Sequence, residues 1–216
     1  MALLDLVLPP ACGSCGRLGR LLCVACTAQL RPPTAAADRF LAPDAGVVVG
    51  DALELALAAF AYEGALRRAL QRLKYVGASR MARPLAEAAA PILRRLVTIS
   101  GPAALVPVPV HVVRRRERGY NQAELLAREL ARLTSLSVLD LLVRPQATTM
   151  QHRLDRAGRL RNLRGAFAVR PRARLPPVVI LIDDILTTSA TLEACASVLR
   201  SAGVLHAYGF AIAREV

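Results

Sequence analysis

An α/β fold built on a mainly parallel sheet, with a small cysteine-rich module ahead of it, is what this chain predicts, and three observations carry that expectation. Residues 178 to 182 read Val-Val-Ile-Leu-Ile and run unbroken into Asp183 and Asp184. An apolar run of this kind fits a strand buried on both faces, as at the centre of a parallel sheet. Strand-like and helix-like segments then alternate along residues 56 to 213, the order of a wound α/β domain. Finally, four of the five cysteines stand as Cys12-x2-Cys15-x7-Cys23-x2-Cys26, close together and near the start.

Two paired CxxC knuckles are a usual way to surround one Zn²⁺ with four thiolates, and Gly13, Gly16 and Gly19 supply the turns that the short x7 interval needs. A pair of disulfides is the alternative, favoured only in an oxidising compartment. With four protein ligands a zinc ion has no open position, so its role is structural or docking. Residues 31 to 46 lack periodicity and carry Pro32, Pro33, Pro43 and Gly46, the composition of a linker. The expected division is a cysteine module with its linker over 1–45 and the main domain over 46–216.

Within the main domain, Ala56 to Tyr62 reads as a strand with a turn at Glu63-Gly64. Leu66, Ala69, Leu70 and Leu73 recur at helical spacing, and a second amphipathic helix covers about Arg80 to Leu96. Ala104 to Pro109 is a short strand ending in prolines, where a ladder terminates. Arg114, Arg115, Arg116 and Arg118 crowd into what reads as a loop, followed by a helix from Asn121 to about Leu133. Residues 148 to 167 are polar and arginine-rich, the composition of a mobile surface element, with a strand near 166 to 169. Pro171 to Pro177 is an extended approach to the 178 strand; a helix from Thr191 to Ser201 and a strand from Leu205 to Ala213 close the fold.

Composition bounds the function. Hydrophobic residues make up 54% of the 216, enough for a core, yet no apolar run is long enough to span a membrane. The apolar stretch before Pro9 lacks a basic start and is interrupted by Asp5, which argues against a secretory signal and for a cytoplasmic protein. The net charge of +13 suits phosphate-bearing or polyanionic partners; an arginine-rich, alanine-rich composition also follows from a GC-rich genome. Aromatics are only 4%, too few for a base-stacking platform.

The 178 to 191 segment carries the chemistry. Ligands of parallel sheets sit beyond the carboxyl ends of strands, where helix N-termini present free N–H groups. A strand delivering two carboxylates into a hydroxyl-rich turn suits a sugar phosphate. This segment resembles the phosphoribosyl pyrophosphate (PRPP) loop of type I phosphoribosyltransferases. Together with the four cysteines, Tyr62-Glu-Gly64, Leu73-Lys-Tyr75, Val106-Pro-Val-Pro109, Arg118-Gly-Tyr-Asn-Gln122 and the Thr148/Gln151/Leu154/Arg159/Asn162 spacing, it makes the chain similar to the ComF/GntX family of competence-associated, phosphoribosyltransferase-like proteins.

That resemblance implies a type I phosphoribosyltransferase-like fold and a setting in DNA uptake, natural transformation or DNA utilisation. It implies that Asp183 and Asp184 bind ribose hydroxyls, and that Thr187, Thr188, Ser189, Ala190 and Thr191 cradle a 5′-phosphate. Arg118, Asn121, Gln122 and Arg159 would stand on the pyrophosphate side, with Mg²⁺ bridging ligand oxygens. A plain helix start is the alternative for Arg118, Asn121 and Gln122, and a solvated arginine face for Arg159 and Asn162. Ser189 departs from the family pattern, which has a small residue, often glycine, there. His111, His152 and His206 read as structural polar residues and Cys195 as core. Three functions compete: a phosphoribosyl transferase whose acceptor the sequence does not identify, a non-catalytic adaptor binding single-stranded DNA or a nucleotide beside other uptake proteins, and a sensor of PRPP or nucleotides.

Overall fold

The computed structural model describes residues 9–33, 47–49, 51–75, 78–145 and 165–215. In chain order these form α1 (Val24–Thr27), β1 (Val47–Val49), β2 (Leu53–Ala61), α2 (Gly64–Arg72), α3 (Ala82–Ser100), β3 (Ala104–Pro107), α4 (Val112–Arg118), α5 (Gln122–Thr134), β4 (Leu142–Val143), β5 (Ala168–Val169), β6 (Val178–Leu186), α6 (Ala190–Ser201) and β7 (His206–Arg214). The main sheet has the order β1-β2-β7-β6-β3. Its last four strands run parallel, and β1 adds an antiparallel edge through Val47↔Ala56 and Val49↔Leu53. The fold is α/β and phosphoribosyltransferase-like, with a four-cysteine cluster near its start.

Strand β6 lies in the interior of the sheet, between β7 and β3, as its unbroken apolar run requires. Val179, Ile180, Leu181 and Ile182 are fully buried, and their side chains alternate between two cores. Ile180 and Ile182 meet Leu85, Leu93, Leu126 and Leu130 of α3 and α5, while Val179 and Leu181 meet Leu192, Cys195 and Leu199 of α6. Each such buried aliphatic side chain contributes about 2 kcal/mol through removal from water. A run of period-two polar residues would have exposed one face of the sheet and lost one helical layer.

Close packing also dictates Gly209 in β7. A Cβ there would fall 2.8 Å from Leu192 Cδ1 and 3.1 Å from Ala56 Cβ, so the absence of a side chain lets α6 lie on the sheet. The outer edge of β3 is covered in turn: Leu105 donates to Ser137 O at 2.9 Å and accepts from Leu139 N at 2.9 Å. That pairing removes an open ladder from solvent.

The cysteine segment is seated on the main domain. Cys12, Leu22, Cys23 and Cys26 belong to the same core as α2 and α3. Arg68 Nε donates to Ser14 O at 3.1 Å, and Ala61 N donates to Arg31 O at 2.8 Å. Gly13 passes so close to Met81 that a Cβ would meet its Cε at 2.3 Å.

One expectation is corrected. The arginine-rich stretch is a helix, α4, rather than a loop. His111 Nδ1 accepts from Val113 N at 3.3 Å at its start, and Gly119, at φ 79°, ends it in the left-handed conformation. Arg115, Arg116 and Arg118 fall in its last turn, where cations complement the helix dipole. Strand β2 also begins three residues before Ala56, because Leu53 is buried as fully as the residues after it.

Candidate functional site

The two aspartates lie inside β6, which continues through Leu186. Adjacent strand residues point to opposite faces, so the pair is not symmetric. Asp183 follows Leu181 toward the α6 side, where its charge is felt by Cys195. Its Oδ1 accepts from Asp184 N at 2.8 Å. Burial first, and the neighbouring Asp184 charge second, hold its carboxyl well above the usual carboxylate range. Asp184 takes the other face, and its Oδ2 lies 3.4 Å from Lys74 Nζ, with both side chains more than half withdrawn from solvent.

Lys74 is the only lysine in the chain. It follows α2 in the Leu73-Lys74-Tyr75 segment, and Tyr120 determines where that segment runs. The Tyr120 hydroxyl lies 2.8 Å from Leu73 O and 2.6 Å from Tyr75 O, so its one proton is shared by the carbonyls on either side of Lys74. Burial pushes the Tyr120 phenol up, which keeps it a donor. The sequence reading gave Lys74 no role. A lone lysine among so many arginines was the available signal.

Beyond β6 the chain turns through Thr187, Thr188 and Ser189 into α6. Ser189 has φ 58° and ψ −3°, the left-handed conformation that a glycine adopts most readily, and its side chain makes no cap bond to the helix. Ser189 is buried, Thr187 is exposed, and Thr188 and Thr191 are half-buried. Glu193, in the first turn of α6, does not cap the helix either. Its two oxygens accept from Ala52 N at 3.0 Å and Leu53 N at 3.1 Å. The first N–H groups of α6 therefore have no side-chain acceptor among the described residues, and they face the end of β6 where an anion is favoured.

Across the sheet, at the start of α5, the candidate residues are partly committed to structure. Asn121 Oδ1 accepts from Ala123 N at 3.1 Å, and its Nδ2 donates to Val108 O at 2.9 Å, so both ends of the amide hold the β3 tail against α5. Arg118 Nη1 donates to Gln122 Oε1 at 3.0 Å, while Gln122 Nε2 is buried without a partner. Arg159, His152 and the other residues of 146–164 lie outside the described residues. His206, whose Nδ1 lies 2.6 Å from Glu54 Oε1, sits at the opposite end of the sheet from the acid pair, level with Val178.

The cysteine cluster assembles as its spacing predicts. The four Sγ atoms of Cys12, Cys15, Cys23 and Cys26 all lie within 4.8 Å of one another, and Cys15 Sγ is 3.7 Å from Cys23 Sγ. Zinc–sulfur bonds of about 2.3 Å give a tetrahedron with edges of about 3.8 Å, so the thiols fit such an ion. Burial opposes ionisation of Cys12, but backbone N–H groups of Cys15, Cys23 and Ser14 outweigh it and bring the thiol down to about 6. This cluster could bind a metal ion.

No family model matches the chain. It is 36% identical over 116 residues to competence protein F of Haemophilus influenzae, covering 52% of this chain and 51% of that one. It is 34% identical over 110 residues to the DNA utilization protein YhgH of Escherichia coli K12, covering 49% and 47%. With competence protein ComFC of Streptococcus pneumoniae it shares 30% over 111 residues, covering 50% and 47%. Over that half, the chain is similar to these competence and DNA utilization proteins. The matched stretch spans about half the length of these relatives.

The described geometry brings together Asp183, Asp184, the 187–191 turn and Lys74 at one end of the sheet. Arg118 and Gln122 form their own pair at the start of α5. The cysteines stand apart, against α2. Among the described residues, no helix is long and apolar enough to cross a membrane.

Proposed function

We propose that this protein binds a PRPP-like ribose phosphate at the carboxyl end of β6 and serves DNA uptake or utilisation, the setting named by its relatives. The observation that carries the reading is a strand-end acid pair followed by a left-handed residue and an uncapped helix start. In this assignment Asp183 and Asp184 receive ribose hydroxyls, and the backbone of 187–191 with the α6 N-terminus holds the 5′-phosphate. Lys74 adds a cation beside Asp184. Mg²⁺ would be held mainly by ligand oxygens beside the two aspartates, where it supplies counter-charge. Zinc is proposed for the four cysteines, in a structural role. Positioning and charge stabilisation would provide most of any phosphoribosyl transfer.

Calorimetry with PRPP and Mg²⁺ tests this. Binding by the wild type that is lost in Asp183→Asn/Asp184→Asn supports it, and equal or absent binding in both sinks it.

A second reading, a non-catalytic adaptor for single-stranded DNA, draws on the +13 charge and on the exposed Arg114 and Arg116 of α4. Phosphate contacts by these arginines require affinity to fall steeply with salt. A flat dependence of log K on log salt excludes that contact.

A further inference from the structure

An arginine-lined pocket lies beside the β3 tail, apart from the acid pair. It encloses about 170 Å³ between the end of β3, the start of α5 and the β4–β5 pair, with Arg115, Arg144, Arg170, Glu124 and Asp140 among its lining residues. The β3 tail reaches both sites. Val108 N donates to Ile182 O at 2.9 Å, beside Asp183, while the neighbouring Pro109 lines the pocket.

Among the described residues, the charges around this pocket do not balance. Asp140 is held by Arg170 Nη2 at 2.7 Å. Glu124 is shared between Arg115 at 3.4 Å and Arg128 at 2.5 Å. Arg144 has no carboxylate partner among the described residues. Its guanidinium lies 5.3 Å over the buried Phe167 ring, which orients it without neutralising it. Arg144 Nε and Arg170 Nε are both buried without an acceptor, and both residues line this one cavity. Burial, then the nearby charge of Arg114, push the Arg144 guanidinium down from its usual value. Buried donors without partners are costly, and those on a cation more so.

From the cavity and the arginines that line it we infer an oxyanion subsite: the pocket takes a phosphate or carboxylate group, with the guanidinium groups of Arg144 and Arg170 as its cations. Its position makes it the place for the anionic end of whatever meets the ribose phosphate beside the β3 tail. That role rests on the proposed function; the anion site itself does not. A volume of about 170 Å³ admits a small oxyanion.

Arginine Nε–H resonances of ¹⁵N-labelled full-length protein give a readout specific to this site. Inorganic phosphate and acetate are titrated separately, with assignment by loss of signal in Arg144→Gln and Arg170→Gln. The expected result is a saturable shift of both Nε–H signals, with phosphate affinity at this site falling about tenfold or more in Arg144→Gln, the loss expected for a charge-assisted bond. The stronger of the two anions identifies the chemistry. Arg144→Lys, which keeps the charge but has no Nε, should recover only part of the affinity, and wild-type-like melting of each variant keeps the comparison valid. Unmoved Arg144 and Arg170 signals, or an unchanged affinity in Arg144→Gln, overturn the proposal. A titration with Mg²⁺ and PRPP reads the backbone amides of 184–191 instead. The ribose-phosphate reading and this one can therefore fail separately.

Discussion

Glu193 of α6 holds the start of β2 through Leu53. Its carboxylate accepts the backbone N–H groups of both Leu53, at 3.1 Å, and Ala52, at 3.0 Å. This ties the helix that opens the candidate phosphate cradle to a strand two positions away in the sheet. Glu193→Ala leaves two donors without their acceptor and is expected to cost about 2 kcal/mol in denaturant unfolding. Glu193→Gln, with one acceptor oxygen, should fall between the two.

Ser189 sits where the backbone requires a left-handed conformation. Ser189→Gly is expected to stabilise the fold by up to about 1 kcal/mol, since relief of the strained conformation exceeds the entropy cost of glycine. On the proposed function it also tightens the ribose phosphate. Ser189→Ala keeps the strain and removes the hydroxyl. Equal ligand affinity in Ser189→Ala and wild type therefore assigns the contact to the backbone.

Asp183 links stability to pH in an unusual direction. A carboxyl whose folded pKa is raised takes up a proton on folding, so the folded state binds more protons than the unfolded one above about pH 4. Stability then falls as pH rises from there toward the raised folded value. Asp183→Asn removes that loss. Thermal melts should show the variant more stable than wild type at pH 8, with the gap closing toward pH 4. The same substitution is expected to abolish ribose-phosphate binding.

Tyr120 and Lys74 act as a unit. Tyr120→Phe deletes the hydroxyl shared by Leu73 O and Tyr75 O. It should destabilise the protein by about 1 kcal/mol and weaken PRPP binding, because Lys74 is no longer held toward Asp184. Lys74→Met should weaken the same binding with little loss of fold. In a double-mutant cycle Lys74→Met and Asp184→Asn are expected to be non-additive, since the two side chains are in contact. Strict additivity would break the pairing.

Metal analysis of the purified protein should find about one zinc per chain, and Cys12→Ser should release it. Because Cys12, Cys23 and Cys26 share the core with α2 and α3, chelation should lower the melting temperature of the whole protein. A metal-free protein with unchanged melting refutes the assignment.

The local chemistry of the chain was legible wherever a residue type has few structural uses. Four cysteines at paired CxxC spacing, an apolar run ending in two aspartates, and a serine at a position suited to glycine each have a short list of explanations. The arginine-rich stretch misled, because four arginines read as loop by charge while the terminating Gly119 and the dipole-compatible placement make a helix. Asn121 admitted both a ligand role and a cap, and in the folded protein both of its amide atoms bond to the backbone.

By itself, then, the sequence determined the layers of the sheet, the strand that carries Asp183 and Asp184, the helix that follows, and the four-cysteine cluster. These depend on periodicity and short-range spacing. Only the tertiary structure decided what faces those residues: Lys74 opposite Asp184, Glu193 on β2 rather than on its own helix, and Arg144 beside a pocket with no counter-charge among the described residues. Each of those relations joins residues far apart in the chain, 110 positions apart for Lys74 and Asp184, and 141 for Glu193 and Ala52. A linear pattern carries no record of distances closed by packing two helical layers onto one sheet.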